Sequence, residues 1–289
     1  MGKIHNITMF LLRAAAVCLL GAALIGSWYL LKNREVSRDA EFIFVGTRND
    51  ADCSLLLNGD FCVMIDTGEK KDGPHILEVL QSKEIDRIDC LILTHPDKDH
   101  IGGALFLTDE IPIDQVFIPP MGEEKAEIGN RVKEKPSLYE EVLEQFAEKE
   151  IPVKSLFKEH HLRYGDLDIR IFPPKKPYYK KDNDYSLAAL VKHGRVSAFY
   201  AGDAEKERLG ELLKTRLPEV DLYKTAHHGR KSKRGGELIE KLKPRYAVVT
   251  SEKAEQGINE AFRRTGTEVF TSVNRDLSFH SNGEQILTD

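Results

Sequence analysis

Four side chains able to hold a metal ion, His95, Asp97, Asp99 and His100, crowd into six residues directly behind the apolar stretch 85–94 and just ahead of Gly102 and Gly103. Offsets of 0, 2, 4 and 5 do not line one face of a helix, so the spacing predicts a tight loop curling round a cation, the glycines letting the backbone turn closely. At residue frequencies of roughly 2–7% each, chance gives on the order of less than one such pattern per million windows, so a solvated polar turn would be a coincidence.

Other strand-like stretches end in the same kind of residue. Asp66 closes 61–65, Gly202-Asp203 follows 197–200, and His227-His228-Gly229 follows 220–225. Further strands are predicted at 42–46, 53–57, 167–172, 186–191, 246–250 and 268–270, with helices near 73–83, 136–149, 205–215 and 235–241. Strands interleaved with helices argue for an α/β sheet protein that carries its function on loops at strand ends. Asn58-Gly59 between two apolar runs predicts a hairpin turning at those two residues, which sets Cys53 opposite Met64 and Cys62 opposite Leu55. The two thiols then lie diagonally, too far apart for a relaxed disulfide, and both read as packed thiols, as does Cys90 inside its apolar strand. From the residues alone the chemistry is metal-assisted hydrolysis, with two ions and no nucleophilic Ser or Cys.

Composition narrows the class further. With 42 Lys+Arg against 47 Asp+Glu the chain is no uniformly basic nucleic-acid coat, and four cysteines in 289 residues are too few for a disulfide scaffold. The average conceals residues 14–31, an uncharged apolar run of about 27 Å as a helix, long enough to span a hydrocarbon core, with Trp28 and Tyr29 near one end. It lacks a small-residue cleavage ending, so it reads as an uncleaved single-pass anchor. Basic residues on both sides leave its orientation open, and an extracytoplasmic catalytic part is the expectation. The organisation is then a basic segment 1–13, anchor 14–31, linker 32–40 and one domain 41–289.

Taken in order, Asp66-Thr67-Gly68, His95–His100 with Gly102-Gly103, Gly202-Asp203 and His227-His228-Gly229 resemble the metallo-β-lactamase superfamily, and the resemblance spans 41–289. It implies a four-layer αβ/βα sandwich with a metal site at the edge between two sheets. The sequence departs from the family's H-x-H-x-D-H pattern at Asp97, and Asn183-Asp184-Tyr185-Ser186 stands where a third histidine motif is usual. Both departures resemble the metallo-hydrolase domain of ComEC-type competence DNA-uptake proteins. Val45-Gly46 with Asp52-Cys53-Ser54 resembles that branch's V-G-Q-G-D opening, with the glutamine absent and extra residues inserted.

The resemblance implies one ion on His95, Asp97 and a bridging Asp203, helped by Asn183, and a second on Asp99, His100, Asp203 and one of the histidine pair. His227 is taken as that ligand and His228 as the group acting on the leaving group, an order the sequence leaves open. Asp99, His228 and Asn183 are expected nearest the chemistry, with Asp66 and Ser186 behind the ligands, orienting them. A carboxylate in place of imidazole hardens the site, so Zn²⁺ and Mn²⁺ are equally expected. Arg230, Lys231, Lys233 and Arg234 after the histidine pair, and Lys175, Lys176, Tyr178, Tyr179, Lys180 and Lys181 before Asn183, suit an anionic polymer through phosphate pairing and base stacking. A phosphodiesterase or nuclease acting on DNA or another phosphate ester is the expectation. Cleavage of a lactone, thioester or phosphocholine ester is the alternative within the same fold. A non-catalytic membrane-tethered binding module is the alternative outside it, and the intact set of ligand-type residues argues against that. His5, His75, His160, His161, His193 and His280 have no motif around them and read as structural or surface residues.

Overall fold

The central strands carry apolar side chains on both faces, which calls for a packing layer on each side. In the computed structural model, which describes residues 39–121, 137–232 and 234–287, β1 (Ala40–Phe44) turns Phe42 and Phe44 to one side and Ile43 to the other. β2 (Ser54–Asn58) and β3 (Phe61–Ile65) alternate in step: Leu56, Val63 and Ile65 join Phe42, while Leu55, Cys62 and Met64 join Ile43. The residues read as a membrane anchor, 14–31, lie outside the described residues. Among the described residues no helix is long and apolar enough to cross a membrane.

Two sheets result. The first runs β15-β14-β1-β2-β3-β4-β5-β6, adding β4 (Cys90–Ile92), β5 (Val116–Ile118), β6 (Val153–Ser155), β14 (Leu277–Ser281) and β15 (Ile286–Leu287). The second runs β13-β12-β11-β10-β9-β8-β7, from β7 (His160–Tyr164), β8 (Leu167–Phe172), β9 (Ala188–His193), β10 (Val196–Tyr200), β11 (Leu222–Lys224), β12 (Tyr246–Val249) and β13 (Glu268–Thr271). Their inner faces share one core in which Phe42, Phe44 and Val63 meet Ile169, Val191, Ala198 and Val248. Helices α1 (Gly73–Ser82), α3 (Ala104–Glu110) and α4 (Leu138–Glu148) cover the outer face of the first sheet; the one-turn α2 (Lys98–Ile101) precedes α3. Helices α5 (Lys206–Lys214), α6 (Gly235–Leu242) and α7 (Gln256–Thr265) cover the second. This is a two-sheet α/β sandwich with helices outside both sheets.

Each sheet is half parallel, and that decides where function can sit. β3, β4, β5 and β6 run parallel, as do β10, β11, β12 and β13. Their carboxyl ends open at one edge of the sandwich, and crevices outside such ends are where ligands bind in α/β sheets.

The first hairpin differs from expectation by one residue. Asn58 pairs with Phe61, and Leu57 with Cys62, so the turn is Gly59-Asp60, with Gly59 at φ 59°. Asn58 is held in the ladder because its side chain is engaged elsewhere: Nδ2 donates to Asp39 O (2.9 Å), and Oδ1 accepts from Asp166 N (2.7 Å). Cys53, Cys62 and Cys90 are free and buried.

Candidate metal centre

The carboxyl ends of β3 and β4 are tied together by one carboxylate. Asp66, buried and in the left-handed region (φ 59°), accepts from Thr94 N and from Thr94 Oγ1, both at 2.7 Å, and meets His100 Nδ1 at 2.8 Å. Contrary to the expected loop, Asp99 and His100 stand on α2. Asp97 O accepts from His100 N (2.9 Å) and Ile101 N (3.0 Å), which winds the second half of the motif into a helical turn. The turn can press against β3 only because Gly103 lacks a side chain: a Cβ there would lie 1.9 Å from Thr67 O.

The second sheet supplies the opposite wall. Gly202 (φ 53°) swings the chain round after β10, and Asp203 N donates to Ser186 Oγ (3.0 Å), which itself donates to Asn183 O (2.7 Å). Asp184 Oδ1 accepts from Glu205 N and Arg208 N, both at 3.0 Å, and the buried Arg208 Nε donates to Ser186 O (2.8 Å). The Asn183–Ser186 turn, Asp203 and the start of α5 therefore form one rigid unit.

After β11 come three successive left-handed residues, His227 (φ 50°), His228 (φ 53°) and Gly229 (φ 82°). For the two histidines this costs about 1–3 kcal/mol each. Ser251 Oγ on His228 O (2.7 Å), His227 N on Gly202 O (3.2 Å) and Glu255 N on Gly229 O (2.9 Å) hold the turn. The reversal buries His228 and leaves His227 on the rim with its side chain 18% exposed.

These walls bring six side chains round Asp203. His228 Nε2 lies 3.0 Å from Asp203 Oδ2 and 3.4 Å from Asp99 Oδ2. His100 Nε2 is 3.3 Å from Asp203 Oδ1, and His95 Nε2 is 3.5 Å from Asp97 Oδ2 and 4.0 Å from Asp203 Oδ2. His227 Nε2 stands 3.9 Å from Asp203 Oδ2 and 3.4 Å from Asn183 Nδ2. Of the histidine pair, His228 thus lies with Asp99, His100 and Asp203, while His227 lies with Asn183 on the rim. Buried His95 Nε2, His100 Nε2, His228 Nε2 and Asp203 Oδ1 have no hydrogen-bond partner. Leaving such groups unmatched costs about 1–3 kcal/mol each, and together they form an N/O donor set that suits a divalent cation.

A family description, the metallo-beta-lactamase superfamily, matches residues 46–250. The chain belongs to the metallo-beta-lactamase superfamily. Members of this superfamily are mostly metal-dependent hydrolases. Among curated proteins the chain is similar to ComE operon protein 3 of Bacillus subtilis, 30% identical over 180 residues, 62% of this chain and 22% of that protein. It is also similar to recombination protein 2 of Haemophilus influenzae, 25% identical over 203 residues, 68% of this chain and 22% of that protein. The matched part is thus about a fifth of the length of these relatives. The metallo-beta-lactamase fold protein YhfI of Bacillus subtilis is alike in fold, with a TM-score of 0.54 at 12% identity over 84% of this chain and all of the other.

Three residues of this superfamily member's centre carried no role in the sequence reading. Asp52, buried ahead of β2, meets His228 Nδ1 at 3.2 Å through Oδ1, and its Oδ2 contacts the ammonium of buried Lys224, the last residue of β11. Thr250 Oγ1 is also 2.9 Å from His228 Nδ1. The signal for Lys224 was a lysine two residues after inward-facing Leu222, in phase with the core. Asp52 had no spacing relation to the other motifs.

Charge within the centre is strongly coupled. Burial pulls His100 down, but Asp203, Asp66 and Asp52 outweigh it and hold it well above the ordinary histidine range. His228 is raised to about 10, Asp203 and Asp52 overcoming burial. Burial favours the neutral acid at Asp203 too, yet His228 and His100 hold it well below the usual carboxylate range. His227 moves the other way, lowered first by burial. Such a centre demands positive charge.

The basic residues are less available than their sequence suggests. Arg230 pairs with Asp50 (2.8 Å), Arg234 lies over Gly210 of α5, and Lys231 N donates to Glu255 (3.0 Å); Lys233 lies outside the described residues. In the other cluster Lys176 pairs with Glu207 (2.5 Å), and Lys181 with Glu205. Tyr179 is fully buried with its hydroxyl on Glu211 (2.5 Å), so it offers no stacking face; Tyr178 stays exposed.

Proposed function

We propose that this chain is a metal-dependent phosphodiesterase of the nuclease class, working with two divalent ions, Zn²⁺ or Mn²⁺. The observation that carries the reading is the convergence of unpartnered His95, His100 and His228 Nε2 atoms on Asp203. Charge supports the count of two. With the histidines neutral, as metal ligands are, Asp52, Asp66, Asp97, Asp99 and Asp203 bring five negative charges and Lys224 one positive, a net of four that two divalent cations balance. His95, Asp97 and Asp203 would hold one ion, and Asp99, His100, His228 and Asp203 the other. When bound, divalent ions supply Lewis acidity to the phosphoryl oxygens and acidify a water nucleophile.

The chain's own groups do the rest. Asp66 on Nδ1 of His100, and Asp52 on Nδ1 of His228, fix the ring protons there and turn each Nε2 lone pair toward the ions. Asn183 Nδ2–H donating to His227 Nε2 leaves that ring's proton on Nδ1. Neutral and on the rim, His227 is positioned to hydrogen bond substrate rather than metal.

DNA as substrate is supported by similarity to two relatives, one named for recombination. The pairing of Arg230, Lys176 and Lys181 with acids, and the burial of Tyr179, favour a second reading: a small ester, bound without a polymer groove. The apolar run 14–31 supports a single-pass membrane anchor with the domain outside the cytoplasm, which protease accessibility on intact cells tests. The deciding experiment measures metal in the purified full chain and assays single- and double-stranded DNA with Mn²⁺ or Zn²⁺, beside an Asp99→Ala control. Absence of bound metal would sink both readings; cleavage of a lactone or small ester without any phosphodiester cleavage would leave only the second.

A further inference from the structure

Lys224 stands where a cation could otherwise sit. The alternation of β11 turns Leu222 and Lys224 into the space between the sheets and Tyr223 outward. The lysine side chain is only 4% exposed, and burying an ammonium is costly unless a carboxylate stands beside it. Asp52 is that carboxylate, coming from the other sheet, and Asp203 Oδ1 is 4.0 Å from Lys224 Nζ.

Asp52 stands close enough to the donors round Asp203 to join them. Asp52, His100, Asp203 and His228, all buried, offer one donor atom each within 4.8 Å of one another. Four buried donors make a closed site, the kind that holds a metal structurally and keeps no position open for substrate. Asp52 would have to turn from His228 Nδ1 to complete it.

We propose that Lys224 is a positioning residue that keeps Asp52 out of metal binding, so that the ion on Asp99, His100, His228 and Asp203 is not closed off by a fourth buried donor and stays open to substrate. The ammonium does this twice over, by occupying Asp52 Oδ2 and by placing a positive charge beside Asp203 that opposes an ion drawn toward Asp52. Asp52 is then free only to hold the His228 ring.

This inference rests on the metal reading above, and the test separates the two. Full-length wild type, Lys224→Met, Asp52→Asn and the Lys224→Met/Asp52→Asn double variant are titrated with Co²⁺, reading affinity by chelator competition and coordination by visible absorption, with circular dichroism for folding. Lys224→Met is expected to hold Co²⁺ about tenfold tighter or more and to absorb more strongly, because a unit charge near the donors is gone and Asp52 becomes a ligand. The double variant is expected to return to the wild-type spectrum, because the amide introduced by Asp52→Asn cannot replace the carboxylate as a ligand, and to bind more weakly than Lys224→Met. Asp52→Asn alone is expected to keep the wild-type spectrum and, at saturating Co²⁺, the wild-type stoichiometry, while binding about 10–100-fold more weakly because Nδ1 of His228 loses the carboxylate that fixes its proton; a changed spectrum there overturns the inference if Lys224→Met does not fold. A folded Lys224→Met with wild-type affinity and spectrum overturns the inference, as does an Asp52→Asn variant that loses an ion. Wild-type protein that binds no Co²⁺ overturns the metal reading and this inference with it.

Discussion

Replacing Asp66 by Asn changes one atom and inverts a tautomer. Oδ1 of Asp66 takes Thr94 N, and Oδ2 faces both Thr94 Oγ1 and His100 Nδ1. An Asn tolerates the left-handed backbone and can keep its oxygen on Thr94 N, but its NH₂ then faces His100 Nδ1. The imidazole answers by accepting at Nδ1 and carrying its proton on Nε2, where a metal ligand needs a lone pair. Binding metal then requires breaking that bond and leaving a buried N–H pair opposed, about 1.5–3 kcal/mol, or roughly 10–100-fold in affinity. Stability without metal should change by less, about 1 kcal/mol, because a hydrogen bond replaces a hydrogen bond. Calorimetric titration of the full chain with Mn²⁺ or Zn²⁺, beside thermal unfolding in chelator, separates the two quantities. Metal affinity unchanged in a folded Asp66→Asn protein would refute the reasoning, since Asp66 would then not be setting the tautomer of His100.

Gly103→Ala should destabilise the fold by about 3 kcal/mol or more, read as the urea midpoint in chelator, because its Cβ would stand 1.9 Å from Thr67 O. Buried Cys53, Cys62 and Cys90, the last pushed up to about 12 mainly by burial, should resist a thiol reagent at pH 8 until the protein unfolds, leaving at most Cys18 of the four cysteines to react; earlier labelling would contradict the packing. In chelator, stability should fall as pH rises from 6.5 to about 10. The folded-state value of His228, about 10, lies above its ordinary 6.5, so its contribution is complete below 6.5 and disappears as pH passes through 10. A melting temperature flat across that range would count against the coupling of His228 to Asp203 and Asp52.

Legibility in the sequence followed the range of the interactions involved. Strands Phe61–Ile65 and Leu167–Phe172 begin and end where their apolar alternation says, because local pattern and burial agree there. The hairpin slipped by one residue because Asn58 answers to Asp39 and Asp166, the latter 108 positions away, and not to its own turn. β5, β6, β7, β14 and β15 were not anticipated; β5, β6 and β15 are two or three residues long, and β14 exists by pairing with β1 from the far end of the chain. The His95–His100 cluster was visible because its members are sequence neighbours. The order of His227 and His228 was not, because it depends on consecutive left-handed dihedrals that the sequence marks only with Gly229. Asp52 meets its partners 172 and 176 positions later, beyond any spacing rule.

That separation has a consequence during synthesis. A nascent chain displays the His95–His100 cluster more than 100 residues before Asp203 and His228 leave the ribosome, and Asp52 waits longer still for Lys224. A partial polypeptide therefore has only one wall of the centre. The donor set is completed late, and a chain that stops before Asp203 holds His95, Asp97, Asp99 and His100 without the carboxylate they converge on.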